Sequence, residues 1–210
     1  MPVENLIKNL ILLKRDGIDY IPFSDRKKET YELLRKKVFN CKMCPLCKER
    51  KNVVFGEGDV NANLMFIGEA PGANEDIQGK PFVGEAGRLL SKIINAMGLT
   101  REKVYIANIL KCRPPGNRDP LPEEITQCYP FLISQIKIVS PVVICTLGKI
   151  STQTLLRTSE PISKLRGKIF DFNGIKTVPT FHPSHLLHHP ENKRLVWQDM
   201  QIIMKLLKNP

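Results

Sequence analysis

Apolar positions along the chain recur at two periods, and the change from one to the other lays out the predicted elements. From Met1 to Arg15 they fall at Leu6, Ile7, Leu10 and Leu13, one helical face, and Lys8 and Lys14 break any longer apolar run. Residues 3–15 and 25–38 therefore read as two helices parted by a break over Gly17–Pro22. Leu64–Gly68 is a short unbroken apolar run, as a strand covered on both faces shows. Arg88–Met97 sets Leu89, Leu90, Ile93, Ile94 and Met97 on one helical face and closes at Gly98. Val104–Leu110 reads as the second strand, Pro122–Val139 as a helix opened by Pro-Glu-Glu, and Val142–Leu147 as the third strand, with a helix starting at Lys149. Lys168–Phe172 and Ile175–Val178 flank Asn173-Gly174, the strongest short hairpin signal, and the second arm runs on to Phe181. A last amphipathic helix over 191–208 buries Val196, Met200, Ile203 and Leu207.

Strands alternating with helices predict an α/β fold: a mostly parallel sheet with helices on both faces. Ligands of such sheets bind beyond the carboxyl ends of the strands, so chemistry is sought there. A length of 210 residues suits one domain, and 42% hydrophobic with 25% charged residues is ordinary for a globular chain. The charge changes the picture. With 32 Lys+Arg against 21 Asp+Glu the chain carries +11, which points to a polyanionic partner, nucleic acid first. The N-terminal pattern is neither a signal peptide nor a membrane span, so the chain is expected in the cytoplasm. Six cysteines there point to metal or redox chemistry rather than to disulfides.

Cys41 and Cys44 form a Cys-x-x-Cys pair, Cys47 extends it, and Cys112 and Cys128 make a wider second pair. Zinc and an iron–sulfur cluster suit these thiolates equally well by spacing. A ferredoxin-like run fails, because the stretch after Cys47 reads Lys48-Glu49-Arg50-Lys51. Cys145 sits in an apolar strand and reads as core; Cys47 is either a spare ligand or a buried thiol.

Three motifs stand at strand ends. The first strand runs into Gly68-Glu69-Ala70-Pro71-Gly72 and then Gly79-Lys80-Pro81-Phe82-Val83-Gly84. The second ends Asn108-Ile109-Leu110-Lys111-Cys112-Arg113-Pro114-Pro115, and the hairpin arm ends Phe181-His182-Pro183-Ser184. An aromatic platform, a carboxamide and an imidazole around one crevice suit a planar heterocycle: stacking on Phe82, edge-reading by Asn108, a hydrogen bond from His182.

Taken together, these motifs resemble the family 4 uracil-DNA glycosylases from about residue 38 to 207. The resemblance implies a three-layer α/β/α sandwich with a central four-stranded, mostly parallel sheet. It implies a helical extension over 1–37 and a glycosylase domain over 38–210. Cys41, Cys44, Cys112 and Cys128 would ligate a structural 4Fe-4S cluster. Phe82 would stack on the flipped uracil, Asn108 would read its polar edge, and His182 would stabilise charge at O2. Glu69 and the Ala70 backbone would line the pocket. Glu69 is the nearest carboxylate for orienting the attacking water, with Glu75 or Asp76 as fallbacks and Glu75 also a wall against thymine. Ser184 and Leu187, or Leu186 in its place, would press into the minor groove. Arg113, Arg118 and Lys111 would meet phosphates. The implied partner is uracil-containing DNA, double- or single-stranded, met by a monomeric, nucleoid-associated, monofunctional N-glycosylase. Two alternatives stay open: a non-hydrolysing uracil-DNA binder of the same superfamily, and a zinc-containing DNA-binding module.

Overall fold

The computed structural model describes residues 23–208. The helix expected over 3–15 and the break at Gly17–Pro22 lie outside the described residues. Six strands form one sheet: β1 (Glu57–Gly58), β2 (Leu64–Gly68), β3 (Tyr105–Asn108), β4 (Val143–Leu147), β5 (Phe170–Phe172) and β6 (Ile175–Thr180), ordered β1-β3-β2-β4-β6-β5. The α/β architecture stands, and the strand count is corrected from four to six. Strands β3, β2, β4 and β6 run parallel, and β1 and β5 add an antiparallel strand at each edge. The β1 edge pairs through two residues, too short to carry an alternating pattern.

Alternation along the central strands splits the core into two layers. Met65, Ile67, Tyr105, Ala107 and Ile144 face α1 (Phe23–Phe39), α4 (Pro122–Val139) and α5 (Lys149–Leu156) through Val38, Phe131, Leu132, Ile136 and Leu155. Leu64, Phe66, Ile106, Val143 and Val178 face the other way. They meet Leu90 and Ile94 of α3 (Glu85–Ala96), Leu186 of α7 (Pro183–His188), and Val196, Met200 and Ile203 of α8 (Lys193–Lys208). Two further short helices are α2 (Ala73–Gln78) and α6 (Ile162–Leu165). Helix α1 is seated by Val38 in the core and by Tyr31, whose Oη lies 3.1 Å from that of Tyr105. Among the described residues no helix is long and apolar enough to cross a membrane.

The predicted second strand ends early. Ile109 and Leu110 leave the ladder, and their N–H groups bond the carbonyls of Gly68 and Glu69 at 3.0 Å each. That turn welds the end of β3 onto the loop after β2. The hairpin expected at Asn173-Gly174 is present, with φ of 52° and 86° supplying the left-handed pair a tight turn requires. The end of β6 is anchored from behind by Asp199 of α8. Its Oδ2 accepts from Thr180 Oγ1 at 2.6 Å, and its carboxylate pairs with the Arg166 guanidinium.

Candidate active site

The glycine closing β2 is where the site is assembled. A Cβ on Gly68 would lie 2.3 Å from Asn108 Oδ1 and 2.5 Å from Phe82 Cζ, so only a glycine lets the ring and the carboxamide converge there. Asn108 is 1% exposed at the end of β3. Its Oδ1 is buried and, among the described residues, has no hydrogen-bond partner. An unpaired buried acceptor typically costs about 1–3 kcal/mol, so this atom is held ready for a donor that arrives with a ligand.

Phe82 is presented by a forced backbone. Its φ is 53°, a left-handed conformation that a bulky side chain avoids, at about 1–3 kcal/mol. Three contacts impose it. Arg101 donates to the Pro81 and Phe82 carbonyls at 2.8 and 3.1 Å. Glu75 Oε1 accepts from the Val83 and Gly84 N–H groups at 2.8 Å each, at the start of α3. Gly87 lies so close that a Cβ there would sit 1.9 Å from the Phe82 oxygen. Glu75 is therefore occupied in shaping the loop. Asp76 is buried and accepts from the Lys51 N–H at 2.9 Å. Of the two fallback carboxylates, Asp76 is thus buried and bonded to backbone, and Glu75, among the described residues, is bonded through Oε1 alone.

His182 stands beside this platform, its ring centroid 5.7 Å from that of Phe82 at 36°. Burial lowers its pKa to about 4, with Glu75 opposing the shift, so the imidazole is neutral at pH 7. The Ser184 N–H donates to His182 Nδ1 at 3.1 Å, and Ser184 Oγ lies 2.6 Å from the same nitrogen. With Nδ1 accepting, the ring proton sits on Nε2, which becomes a neutral donor. Gly148, at φ 90°, leaves room for this residue, for a Cβ there would come within 2.9 Å of His182 Cβ.

Glu69 follows Gly68 directly. Burial, helped by Asp119 and opposed by Lys149, raises its pKa to about 7, as suits a group that exchanges protons near neutrality. Ala70 is half-buried beside it against the core. On the far side of the crevice Leu186 is 1% exposed in the core, which removes it as a groove-filling wedge, whereas Leu187 is half-buried and Ser184 exposed. Arg113 is half-buried and donates to Asn117 Oδ1 at 2.7 Å. Arg118 is bound to Glu124 through both terminal nitrogens, at 2.6 and 2.9 Å. Lys111 is fully buried and cannot meet a phosphate; that expectation is corrected.

Beyond Lys111 one pocket is lined by Cys41, Cys44, Cys47, Cys112 and Cys128. All six cysteines of the chain are free thiols, and Cys145 is in the core as expected. The Arg50 guanidinium donates to Cys112 Sγ at 3.0 Å and to the Cys41 carbonyl at 2.9 Å, clamping the two cysteine pairs together. The Lys111 N–H donates to Cys128 Sγ at 3.3 Å. Five thiols in one pocket, with N–H donors on the Cys112 and Cys128 sulfurs and the cations of Arg50 and Lys111 beside them, include a four-thiol donor set that fits an iron–sulfur cluster. Among the described residues no group of three or more His, Cys, Asp or Glu side chains is set to hold a single metal ion.

Sequence reasoning missed the roles of Arg101 and Arg50, and placed Gly68 in a strand-end motif without its contact to Asn108 and Phe82. Each acts on residues far along the chain, and nothing in its own neighbourhood signals this.

The model of the Uracil DNA glycosylase superfamily matches residues 55–201. A type-4 uracil-DNA glycosylase of Saccharolobus solfataricus is 45% identical over 190 residues, covering 86% of this chain and 88% of its own. One from Thermotoga maritima is 42% identical, over 87% of this chain and 97% of its own. Another, from Sulfurisphaera tokodaii, is 42% identical over 87% of each. With that extent of likeness and the strand-end motifs gathered at one crevice, this chain belongs to the uracil-DNA glycosylase superfamily and, within it, to the type-4 family.

Proposed function

We propose that the protein takes uracil out of DNA by hydrolysing its N-glycosidic bond, through Phe82, Asn108, His182 and Glu69. The observation that carries this reading is the buried Asn108 Oδ1, which has no partner among the described residues and stands opposite the tip of the Phe82 ring across Gly68. A flipped uracil stacked on Phe82 supplies the missing donor from N3–H, and the carboxamide NH₂ donates to O4. Cytosine meets the same carboxamide with donor against donor. A site built on such pairing rejects the wrong base by up to about 10⁴–10⁵, because buried polar groups are left unpaired.

Bond cleavage leaves negative charge on the base and positive charge on the sugar. His182, neutral and with its proton on Nε2, donates toward O2 as that oxygen gains charge, so it acts on rate more than on binding. Glu69 orients the attacking water as its carboxylate. Ser184 fixes the tautomer of His182, and the loop carrying Ser184 and Leu187 lies against the DNA, with Arg113 on a phosphate. Cys41, Cys44, Cys112 and Cys128 hold the 4Fe-4S cluster. When bound, the cluster supplies cross-links between distant segments rather than a reaction step.

The test is release of uracil from a uracil-containing oligonucleotide, read as strand scission at uracil after alkali. Asn108→Ala is expected to lower the rate by about 10²–10³ without gaining cytosine activity. Wild-type rate in that variant would reduce Asn108 to a strand-end cap. Binding of uracil DNA without release would favour the non-hydrolysing binder.

A further inference from the structure

Among the described residues Lys111 is the one buried cation, and neither its burial nor its partners serve DNA directly. Its side chain is 1% exposed. Nζ donates to the Asn108 carbonyl at 2.7 Å and to Gln135 Oε1 at 2.6 Å. Gln135 is in turn fixed by donating to the Phe55 carbonyl at 2.8 Å and to Tyr105 Oη at 3.0 Å. At its other end the lysine backbone is held by the Cys128 sulfur at 3.3 Å and by the Val54 N–H, which donates to its carbonyl at 2.8 Å.

Both Nζ partners are neutral, and among the described residues no carboxylate pairs with it. A buried ammonium is costly without partners, and here it is satisfied by two neutral acceptors, the Asn108 carbonyl and Gln135 Oε1. The lysine thus stands with a cysteine sulfur at its backbone and the base-reading residue at its tip.

We infer that Lys111 is a positioning residue for base recognition: it couples the four-cysteine site to the uracil site by holding the Asn108 peptide from behind. This rests on the uracil reading of Asn108 given above. The effect is indirect. Without Nζ the Asn108 carbonyl loses its buried donor and the carboxamide drifts, and a misplacement of about 1 Å can lower a rate by about 10²-fold.

The experiment is a double-mutant cycle of Lys111→Met and Asn108→Ala in the full chain, with kcat, KM, iron per chain and visible absorbance measured for each protein. Lys111→Met keeps the backbone bond to Cys128, so iron and colour should match the unsubstituted protein while kcat falls about 10–100-fold with KM little changed. In the Asn108→Ala background the same substitution should lower kcat less than about twofold, because its target is already gone. Equal losses in both backgrounds would overturn the coupling, as would loss of iron from Lys111→Met, which would make the lysine a support of the cysteine site alone. Should Lys111→Met not fold, the cycle is run with Gln135→Met, which removes the acceptor that aims Nζ, and the same non-additivity is required. If the unsubstituted protein releases no uracil, or Asn108→Ala matches it, the uracil reading itself falls, whatever Lys111 does.

Discussion

Replacing Gly68 by alanine adds one methyl group at the floor of the crevice. The backbone tolerates it, since Gly68 has no positive φ. The space does not. The new Cβ would lie 2.3 Å from Asn108 Oδ1 and 2.5 Å from Phe82 Cζ, against ordinary contact from 3.4 Å. Each group must therefore retreat by about 1 Å. Phe82 is held on its far side by Arg101, Glu75 and Gly87, and Asn108 by Lys111, so neither can move alone at low cost. Overpacking of this kind costs about 1–3 kcal/mol of stability, and a displacement of about 1 Å in the groups that align the base lowers the rate by about 10²-fold. Single-turnover uracil release should show that loss, and thermal melting should show a folded, modestly weakened protein. If Gly68→Ala releases uracil at the wild-type rate, the convergence of Phe82 and Asn108 over Gly68 is not the base site.

Four further outcomes are expected. Glu69 is held at about 7, above the ordinary 4.5, so its ionisation opposes folding: its contribution to stability is whole below about pH 4.5 and is lost as pH rises toward 7, a slope that Glu69→Gln should remove in melting curves. If its carboxylate orients water, kcat/KM should climb with pH through about 7 and collapse in Glu69→Gln; an unchanged profile there would remove Glu69 from the reaction. The purified protein should be yellow-brown with about four irons per chain, bleached by Cys128→Ala and not by Cys145→Ser, and zinc without iron in an anaerobic preparation would refute the cluster. With a formal charge of +11, kcat/KM on uracil DNA should fall steeply between about 50 and 200 mM salt, and a flat response would mean that the basic surface does not meet phosphates.

The elements that were legible in the sequence are those whose signal is local. Pro122–Val139 was bounded by its opening Pro-Glu-Glu and by its apolar face, and both limits hold. The Asn173-Gly174 turn was readable because a tight hairpin needs φ above zero at both positions. The edge strand Glu57–Gly58 was not, since its two residues are extended by pairing with β3 rather than by any preference of their own. The end of β3 was overrun because Ile109 and Leu110 are as apolar as strand residues. Only the partners of their N–H groups, Gly68 and Glu69, show that the ladder has stopped.

Within the site the same division holds. Residue type and order along the chain determined which groups carry the chemistry: a stacking ring at Phe82, a carboxamide at Asn108, an imidazole at His182 and thiols at Cys41, Cys44, Cys112 and Cys128. Their roles depended on what each touches, and those neighbours come from distant segments. Glu75 and Asp76 are adjacent carboxylates that looked equally available, yet one shapes the Phe82 loop and the other holds Lys51 and Asn52. Leu186 and Leu187 were interchangeable in a pattern, and packing buried the first. Lys111 read as a phosphate contact because a lysine in a basic chain is usually solvated; tertiary structure enclosed it between Asn108 and Cys128. A sequence specifies a side chain's chemistry, but burial and partner decide its charge, its free lone pairs and its reach, and those belong to the folded chain alone.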